Sequence, residues 1–135
     1  MKRAAIAALF ASAALLQGCA ASVWDAPYSR FVMGTASADV LEQPGAIEKI
    51  DGQSTDNTRN PFPVAPGKHT LLVAYTTPRA VTSIEDQLKN LEVDAQPCKR
   101  YYIVARYANM TTPEWTPKVA YVENIGECAA KFGIK

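Results

Sequence analysis

The segment from Arg100 to Tyr107 is the part of this sequence that most constrains its fold. It is a run of aromatic and β-branched residues, which favour the pleated surface of a β-strand. Pro97 and Cys98 signal a turn before this run, and residues 109–113 signal a turn after it. We therefore predict a strand here that pairs antiparallel with a second strand over Lys118 to Glu123.

Three earlier segments also have the character of strands and are separated by residues typical of turns. In one of them Leu71, Val73 and Tyr75 alternate with their neighbours, as expected for a strand. Gln43-Pro44-Gly45 signals a turn between the other two segments, and Pro66-Gly67 signals the turn that opens the third. The strands predicted from these patterns cover Phe31 to Leu41, Ala46 to Asp51, and His69 to Thr76.

The segment from Ser83 to Ala95 allows two interpretations. Ser83 followed by Asp86 fits a helix capping box, whereas the alternation of apolar and acidic residues after Leu91 favours a strand. We predict a strand from about Leu88, with at most one helical turn before it. The sequence as a whole then predicts an all-β fold, a small antiparallel β-sandwich of about six or seven strands after an N-terminal signal helix. Residues 126–133 are expected to form a coil or a single helical turn.

The N-terminus has the organisation of an export signal. Two basic residues precede an apolar run from Ala4 to Leu16, which is too short to remain in a bilayer as a spanning helix. Leu16-Gln17-Gly18-Cys19 resembles the lipobox of bacterial lipoproteins, which implies removal of residues 1–18 and lipidation of Cys19. Ala20, in place of Asp, resembles the sorting signal for an outer-membrane anchor that faces the periplasm. The alternative is a soluble secreted protein that begins at a cysteine.

The remaining chain divides into a lipidated tether over residues 19–30 and a single domain over residues 31–135. Trp24, in the tether, either lies on the lipid surface or packs on the domain. Without residues 1–18 the chain has 117 residues, with 14 − 2 = 12 basic and 13 acidic side chains. This near balance leaves no basic field for nucleic acid, and the length suits one domain.

The two remaining cysteines, Cys98 and Cys128, are expected to form a disulfide bond because an exported protein folds where disulfides persist. The alternative is a pair of buried thiols. A metal site is not expected, since His69 is the only histidine and no Cys-x-x-Cys spacing occurs. We expect no cofactor either.

Ile47-Glu48-Lys49-Ile50-Asp51-Gly52, followed by Phe62 to Val73 with its Pro66-Gly67 turn, resembles the PEGA-type pattern of small surface β-sandwiches. The segment from Pro97 to Tyr102, with Trp115, Pro117 and Cys128, resembles a family of uncharacterised proteobacterial lipoproteins. The resemblance implies turns and strands, and no active site. The chain departs from PEGA in lacking Gly-Tyr after Tyr75.

Aromatic side chains are the best candidates for binding, because their faces stack on sugars and anchor protein interfaces. Alternation along a strand must bury some of them, and a purely structural role for the set is the alternative. Lys99, Arg100 and Arg106 either add polar contacts beside them or form a charged edge that discourages strand pairing. The binding candidates are Tyr101, Tyr107, Trp115 and Tyr121.

The sequence favours a non-enzymatic protein, because no nucleophile lies in a motif with His69, the one candidate general base. The leading interpretation is a membrane-anchored lipoprotein of the bacterial envelope that serves as an interaction or scaffold module for an envelope protein. The alternative is a periplasmic lipoprotein that binds cell-wall glycan or inhibits an enzyme through an exposed aromatic patch. An enzyme whose site leaves no linear motif is the third interpretation.

Overall fold

The structure, a computed structural model, describes residues 22–35, 37–55, 63–75 and 87–135. The expected signal peptide, Cys19 and the capping-box residues Ser83 and Asp86 lie outside the described residues. Within them the chain is mostly β, which confirms the all-β prediction. A 3-10 turn covers Val23–Asp25, and the one described helix, α1, covers Gly126–Phe132. The strands are β1 Ser29–Met33, β2 Glu42–Ile50, β3 Gln53–Ser54, β4 Pro63–Val64, β5 Gly67–Tyr75, β6 Leu88–Ala95, β7 Lys99–Tyr107 and β8 Trp115–Asn124.

The strands form two layers that share strand β2. In the first layer the order is β4-β1-β7-β8, and in the second layer β5 lies between β2 and β6, with β3 on the far edge of β2. The predicted hairpin is present, because β7 pairs antiparallel with β8 from Lys99↔Asn124 to Tyr107↔Trp115. The two layers pack face to face, as predicted for a sandwich.

One edge of β7 is shared by two strands. β1 runs parallel to its first half, from Arg30↔Arg100 to Met33↔Ile103, and β2 runs antiparallel to its second half, from Glu42↔Arg106 to Pro44↔Val104. The sheet is therefore mixed, whereas the sequence predicted antiparallel pairing throughout. The difference arises because the chain turns back beside β7 after Met33 and approaches the same edge again from the other end.

The turn predicted at Pro44-Gly45 is wrong, because both residues lie inside β2. At Gly45 the strand leaves β7 in the first layer and pairs with β5 in the second, where Gly45 lies opposite Tyr75. A β-carbon on Gly45 would lie 3.0 Å from Val73 Cγ1 and 3.1 Å from the Val104 carbonyl carbon. Pro and Gly mark a turn in sequence, but here they allow a strand to bend closely across another backbone.

The strand predicted over Phe31 to Leu41 is also shorter than expected, since β1 ends at Met33. Gly34 donates its N–H to the Ile103 carbonyl at 2.7 Å, and a β-carbon at this position would collide with the Val104 side chain. The chain then turns, and the Leu41 carbonyl accepts a hydrogen bond from the Tyr107 N–H at 2.9 Å. The turn brings the chain back to the far end of β7, where β2 begins.

The main core lies between the two layers and draws on every second residue of β7. Ile103 and Ala105 are fully buried, and Leu71 and Val73 of β5 face them from the other layer. This alternation is the pattern expected of strands that bury one face. The buried members of the core are Phe31, Leu71, Val73, Val93, Ala95, Tyr101, Ile103, Ala105, Tyr107 and Trp115.

A second, smaller cluster lies at the open end of the β7–β8 hairpin. Cys98 and Cys128 form the predicted disulfide, with an S–S distance of 2.01 Å and a Cα–Cα distance of 5.3 Å. Both cysteines are buried with Tyr28 and Ile125, and Phe132 of α1 packs against them. The helix is longer than the single turn predicted. It ends at Gly133, whose left-handed conformation lets the Ile134 N–H bond the Ala129 carbonyl.

The first strand begins two residues before the start predicted for it at Phe31. Ser29 starts β1 and is fully buried, and its hydroxyl donates to the Gln96 carbonyl at 2.6 Å. The Tyr28 carbonyl accepts a hydrogen bond from the Cys98 N–H at 2.8 Å. Tyr28 and Ser29 therefore contact the turn that precedes β7, which the sequence pattern does not reveal.

Gly34→Ala is expected to destabilise the protein by about 1–3 kcal/mol, because overpacking a filled site forces backbone or side-chain shifts. The new β-carbon would lie 2.6 Å from Val104 Cγ1 and 2.9 Å from the Ile103 oxygen. Urea denaturation measures the change in the free energy of unfolding. Gly126→Ala is the matched control, because nothing lies within 4 Å of its β-carbon position. Equal stability of the two variants would contradict the close packing at Val104.

Replacing both disulfide cysteines, as Cys98→Ser with Cys128→Ser, is expected to lower the free energy of unfolding by about 3–4 kcal/mol. The estimate follows from the loop entropy of a cross-link with a sequence separation of 30 residues. Denaturant midpoints measured with and without reductant test this. Reductant should shift the native protein toward the variant and leave the variant unchanged. A native midpoint that does not respond to full reduction would contradict the expectation.

Candidate functional site

The outer face of the β7–β8 hairpin, which points away from the main core, collects most of the polar and aromatic pairs of the first layer. Arg100 lies opposite Glu123, and Tyr102 lies opposite Tyr121. Side chains of directly opposed residues share a face in an antiparallel pair, so the register places these four together. A bulge follows between Tyr102 and Ile103, and it leaves Ala120 without a partner on β7.

Tyr102 and Tyr121 stack with ring centroids 4.0 Å apart and an angle of 14° between their planes. The Tyr102 hydroxyl donates to Glu123 Oε1 at 2.6 Å, and Arg100 donates to the same oxygen. The hydrogen bond from Tyr102, together with Arg100, lowers the pKa of the Glu123 carboxyl. The same bond raises the pKa of the Tyr102 hydroxyl. Tyr121 completes this arrangement as its most accessible ring, at 47% exposure.

The basic residues of this face lie on an interior strand, so the prediction of a charged edge is wrong for Arg100 and Arg106. β7 has neighbours on both sides, and each guanidinium bonds a carboxylate. Arg106 Nη1 lies 2.7 Å from Asp39 Oδ2 and 3.0 Å from Glu42 Oε1, and Lys118 bonds the same Glu42 oxygen. Opposite charges are therefore neutralised across strands β2, β7 and β8.

These ion pairs favour the charged forms of the acids. The Lys118 ammonium is the largest cause of a lowered pKa at Glu42, and Arg106 adds to it. At Asp39 the hydrogen bond from the Leu41 N–H is the largest cause of the lowered pKa, followed by Arg106. The carboxylates hold the loop after Gly34 against β7. The ion pairs of this face therefore help to fix the turn that brings the chain back to β7.

Three of the four aromatic binding candidates lie in the main core. Tyr101 is 6% exposed, Tyr107 1% and Trp115 2%, so these rings do not form the exposed patch that the sequence suggested. Tyr101 and Tyr107 lie on the same face of β7, and Trp115 of β8 lies opposite Tyr107. This face of the hairpin packs on the second layer. Only Tyr121, on the outer face, is exposed.

The buried aromatic residues are also held by specific contacts. The Tyr101 hydroxyl accepts a hydrogen bond from the Gln96 N–H at 2.7 Å. The Tyr75 ring meets the Trp115 ring edge-on with centroids 5.2 Å apart, and Lys89 Nζ lies 5.4 Å from the Trp115 centroid. These rings therefore join β5 and β6 to the hairpin, which is a structural role.

Two of the outer strands of the described sheets, β6 and β8, differ in their charge. β6 pairs only with β5 among the described strands and exposes Asn90, Glu92 and Asp94. β8 pairs only with β7 in the same part of the chain, and its exposed run from Ala120 to Val122 has no charge. Charged residues on an outer strand discourage pairing with another chain, so β6 is protected and this part of β8 is not.

His69 lies on the second layer, away from this face, and both of its ring nitrogens have partners. Nδ1 lies 2.7 Å from Asp51 Oδ2 and Nε2 lies 2.7 Å from the Ala65 carbonyl oxygen. The other Asp51 oxygen accepts the Thr70 N–H, which is the largest cause of the lowered pKa of Asp51, with His69 second. The arrangement ties the β2–β3 turn to β5.

The described residues contain neither a cluster of metal ligands nor a helix that could cross a membrane. Within residues 22–35, 37–55, 63–75 and 87–135, no three His, Cys, Asp or Glu side chains lie together as metal ligands would. No helix in this part of the chain is long and apolar enough to cross a membrane. Cys19, the predicted lipid site, lies outside these ranges.

Sequence reasoning missed Glu123 and the uncharged run of β8, and it did not assign Tyr102 to the outer face. The alternation of β7 puts Tyr101 and Tyr102 on opposite faces, but only the partner layer shows which face is buried. The register of the hairpin pairs Tyr102 with Tyr121, and it depends on a bulge at Ala120 that the sequence does not predict. The sequence signal for this face is the alternation of residues along the two strands of the predicted hairpin, which separates inner from outer positions.

Glu42→Gln is expected to destabilise the protein by about 1 kcal/mol at pH 7 and by less in acid. A carboxyl with a lowered pKa contributes stability above its unfolded-state pKa, and that contribution disappears as pH falls through the folded-state pKa. Urea denaturation from pH 7 to below pH ~4 should show the two proteins converging. Glu92→Gln, on the exposed edge of β6, is the control. A constant difference across this range would contradict the ion-pair role of Glu42.

Comparison with known proteins identifies no relative of this chain. No family model matches the chain, and neither a curated protein nor a solved structure matches it. The resemblance to PEGA-type sandwiches and to proteobacterial lipoproteins therefore stays a prediction. The fold and the outer face of the β7–β8 hairpin rest on the contacts described above.

Proposed function

We propose that this protein is a membrane-anchored, non-enzymatic lipoprotein of the bacterial envelope, held by lipid on Cys19, in the outer membrane and facing the periplasm. The apolar leader and Leu16-Gln17-Gly18-Cys19 support the anchor. The disulfide supports an exported protein, because such bonds persist in oxidising compartments. The function of the domain is to bind an envelope protein as an interaction or scaffold module.

The observation that carries the binding role is the uncharged exposed run from Ala120 to Val122 on the outer strand β8. Tyr121 is 47% exposed and Val122 is 46% exposed, and they point to opposite faces of the strand. An extended segment of a partner that adds to such an edge gains main-chain hydrogen bonds, and neighbouring side chains provide selectivity. The disulfide and the ion pairs of β7 hold this strand in place before the partner binds, which reduces the ordering cost of binding.

A second candidate function is the binding of cell-wall glycan, and one observation favours it. The Tyr121 ring lies beside the Glu123 carboxylate and is backed by the Tyr102 ring. An exposed aromatic ring next to a hydrogen-bonding carboxylate is suited to stacking on a sugar. This candidate uses the same face as the first, so one experiment separates them.

Photo-crosslinking in intact cells from Tyr121→p-benzoylphenylalanine tests the binding role. We expect one defined protein adduct, because position 121 lies on the uncharged edge. The matched control is Glu92→p-benzoylphenylalanine on the charged edge of β6, from which we expect no such adduct. Metabolic labelling with an alkyne fatty acid in the same cells should mark the native protein, and Cys19→Ser should abolish the label.

The outcomes separate the functions. Adducts to cell-wall glycan from position 121 would favour the second candidate and contradict the first. Equal adducts from positions 121 and 92, or none from either, would contradict a binding role for β8. An unlabelled native protein would contradict the lipid anchor whatever the crosslinks show.

A further inference from the structure

The segment that leads into the domain is docked on helix α1. The Trp24 carbonyl accepts a hydrogen bond from Lys131 Nζ at 2.7 Å, and the Ser22 hydroxyl accepts one from the Trp24 N–H. The Tyr28 hydroxyl donates to Glu127 Oε1 at 3.3 Å. The first described residue, Ser22, therefore leads into a 3-10 turn whose position relative to α1 is set by hydrogen bonds at two points.

Very little chain separates this docked segment from Cys19. Ser22 is three residues after Cys19, and an extended chain spans at most about 3.6 Å per residue, so the two positions lie within about 11 Å of each other. A lipid on Cys19 would hold its backbone at the membrane surface. The end of the domain formed by the 3-10 turn and α1 would then be closer to the lipid than any other part of the described structure.

The side chains at this end suit the lipid headgroup region. The Trp24 ring is 44% exposed, and it meets the Tyr28 ring edge-on at 4.9 Å between centroids. The Arg30 guanidinium lies 5.2 Å from the Trp24 centroid and 5.3 Å from the Tyr28 centroid. Tryptophan favours the boundary between water and hydrocarbon because its ring is apolar and its N–H needs a polar partner.

Charges at this end are mixed. Arg30 and Lys131 contribute positive charge, and Asp25 and Glu127 oppose them. Glu127 also pairs with Arg30, at 3.6 Å between Oε1 and Nη2. Electrostatic attraction to anionic lipid is therefore small, and contact depends on the anchor together with the Trp24 ring.

We propose that the Trp24 end of the domain, consisting of the 3-10 turn and α1, rests on the lipid surface that holds the anchor. The inference rests on the proposed lipid anchor and adds the orientation of the domain. β7 starts at this end, and at about 3.3 Å per residue its nine residues place the tip of the β7–β8 hairpin up to about 30 Å away from it. The exposed run of β8 lies opposite Tyr101 and Tyr102, about 10 Å along β7 from the same end, so it stands just above the lipid surface and is accessible to a partner in the periplasm.

Tryptophan quenching in vesicles tests this orientation. The full-length mature protein, purified from cell membranes, is reconstituted in vesicles of phosphatidylethanolamine and a minority of phosphatidylglycerol, with or without lipid brominated near the headgroup end of the acyl chain. Trp115 is buried and present in every sample, and Trp24→Phe gives its contribution by subtraction. We expect brominated lipid to quench at least half of the Trp24 emission.

The matched control carries Trp24→Phe together with Met110→Trp. Met110 is 59% exposed at the tip of the hairpin, so a tryptophan there should lose less than about a tenth of its emission. Vesicle flotation and the mass of the N-terminal peptide establish the anchor in the same samples.

If the protein floats with its lipid but Trp24 is not quenched, or positions 24 and 110 are quenched equally, the proposed orientation is wrong and the anchor stands. If Cys19 carries no lipid, the anchor is wrong and the orientation that depends on it falls as well. Strong quenching at Trp24 and weak quenching at position 110 in a floating, lipidated protein supports both.

Discussion

The close packing at Val104 is the constraint on which the rest of the structure depends. Gly34, just after the end of β1, and Gly45, inside β2, both approach this one residue of β7, and neither position has room for a side chain. Because both fit, β1 and β2 share one edge of β7, and β2 can continue from the first layer into the second. The sandwich therefore closes through a continuous strand, in addition to the contacts of its buried side chains.

The disulfide fixes the beginning of β7, since Cys98 directly precedes this strand. It joins the turn before this strand to α1 after β8, and the Tyr28 backbone bonds the same turn. The beginning and the end of the described chain thus meet around one covalent cross-link.

Ion pairs cover one part of the first layer, and another part stays exposed and uncharged. Arg100 and Arg106 of β7 are neutralised by Glu123, Asp39 and Glu42 on neighbouring segments, and β6 keeps exposed acids along its edge. The exposed run from Ala120 to Val122 has neither charge nor a second strand among the described residues. The proposed partner site is therefore the part of the first layer that the ion pairs leave uncovered. The ion pairs and the disulfide hold the segments beside it.

The sequence by itself determined the strand composition, the β7–β8 hairpin and the disulfide, because these depend on local alternation, turn residues and the pairing of two cysteines. It also determined β6, where alternation after Leu91 outweighed the capping box. Tertiary structure alone decided that Pro44-Gly45 lies inside a strand and that β1 runs parallel to β7. It also decided that Tyr101, Tyr107 and Trp115 are buried while Tyr121 is exposed. These features depend on which face of a strand meets another layer, and a sequence of alternating residues is compatible with either face.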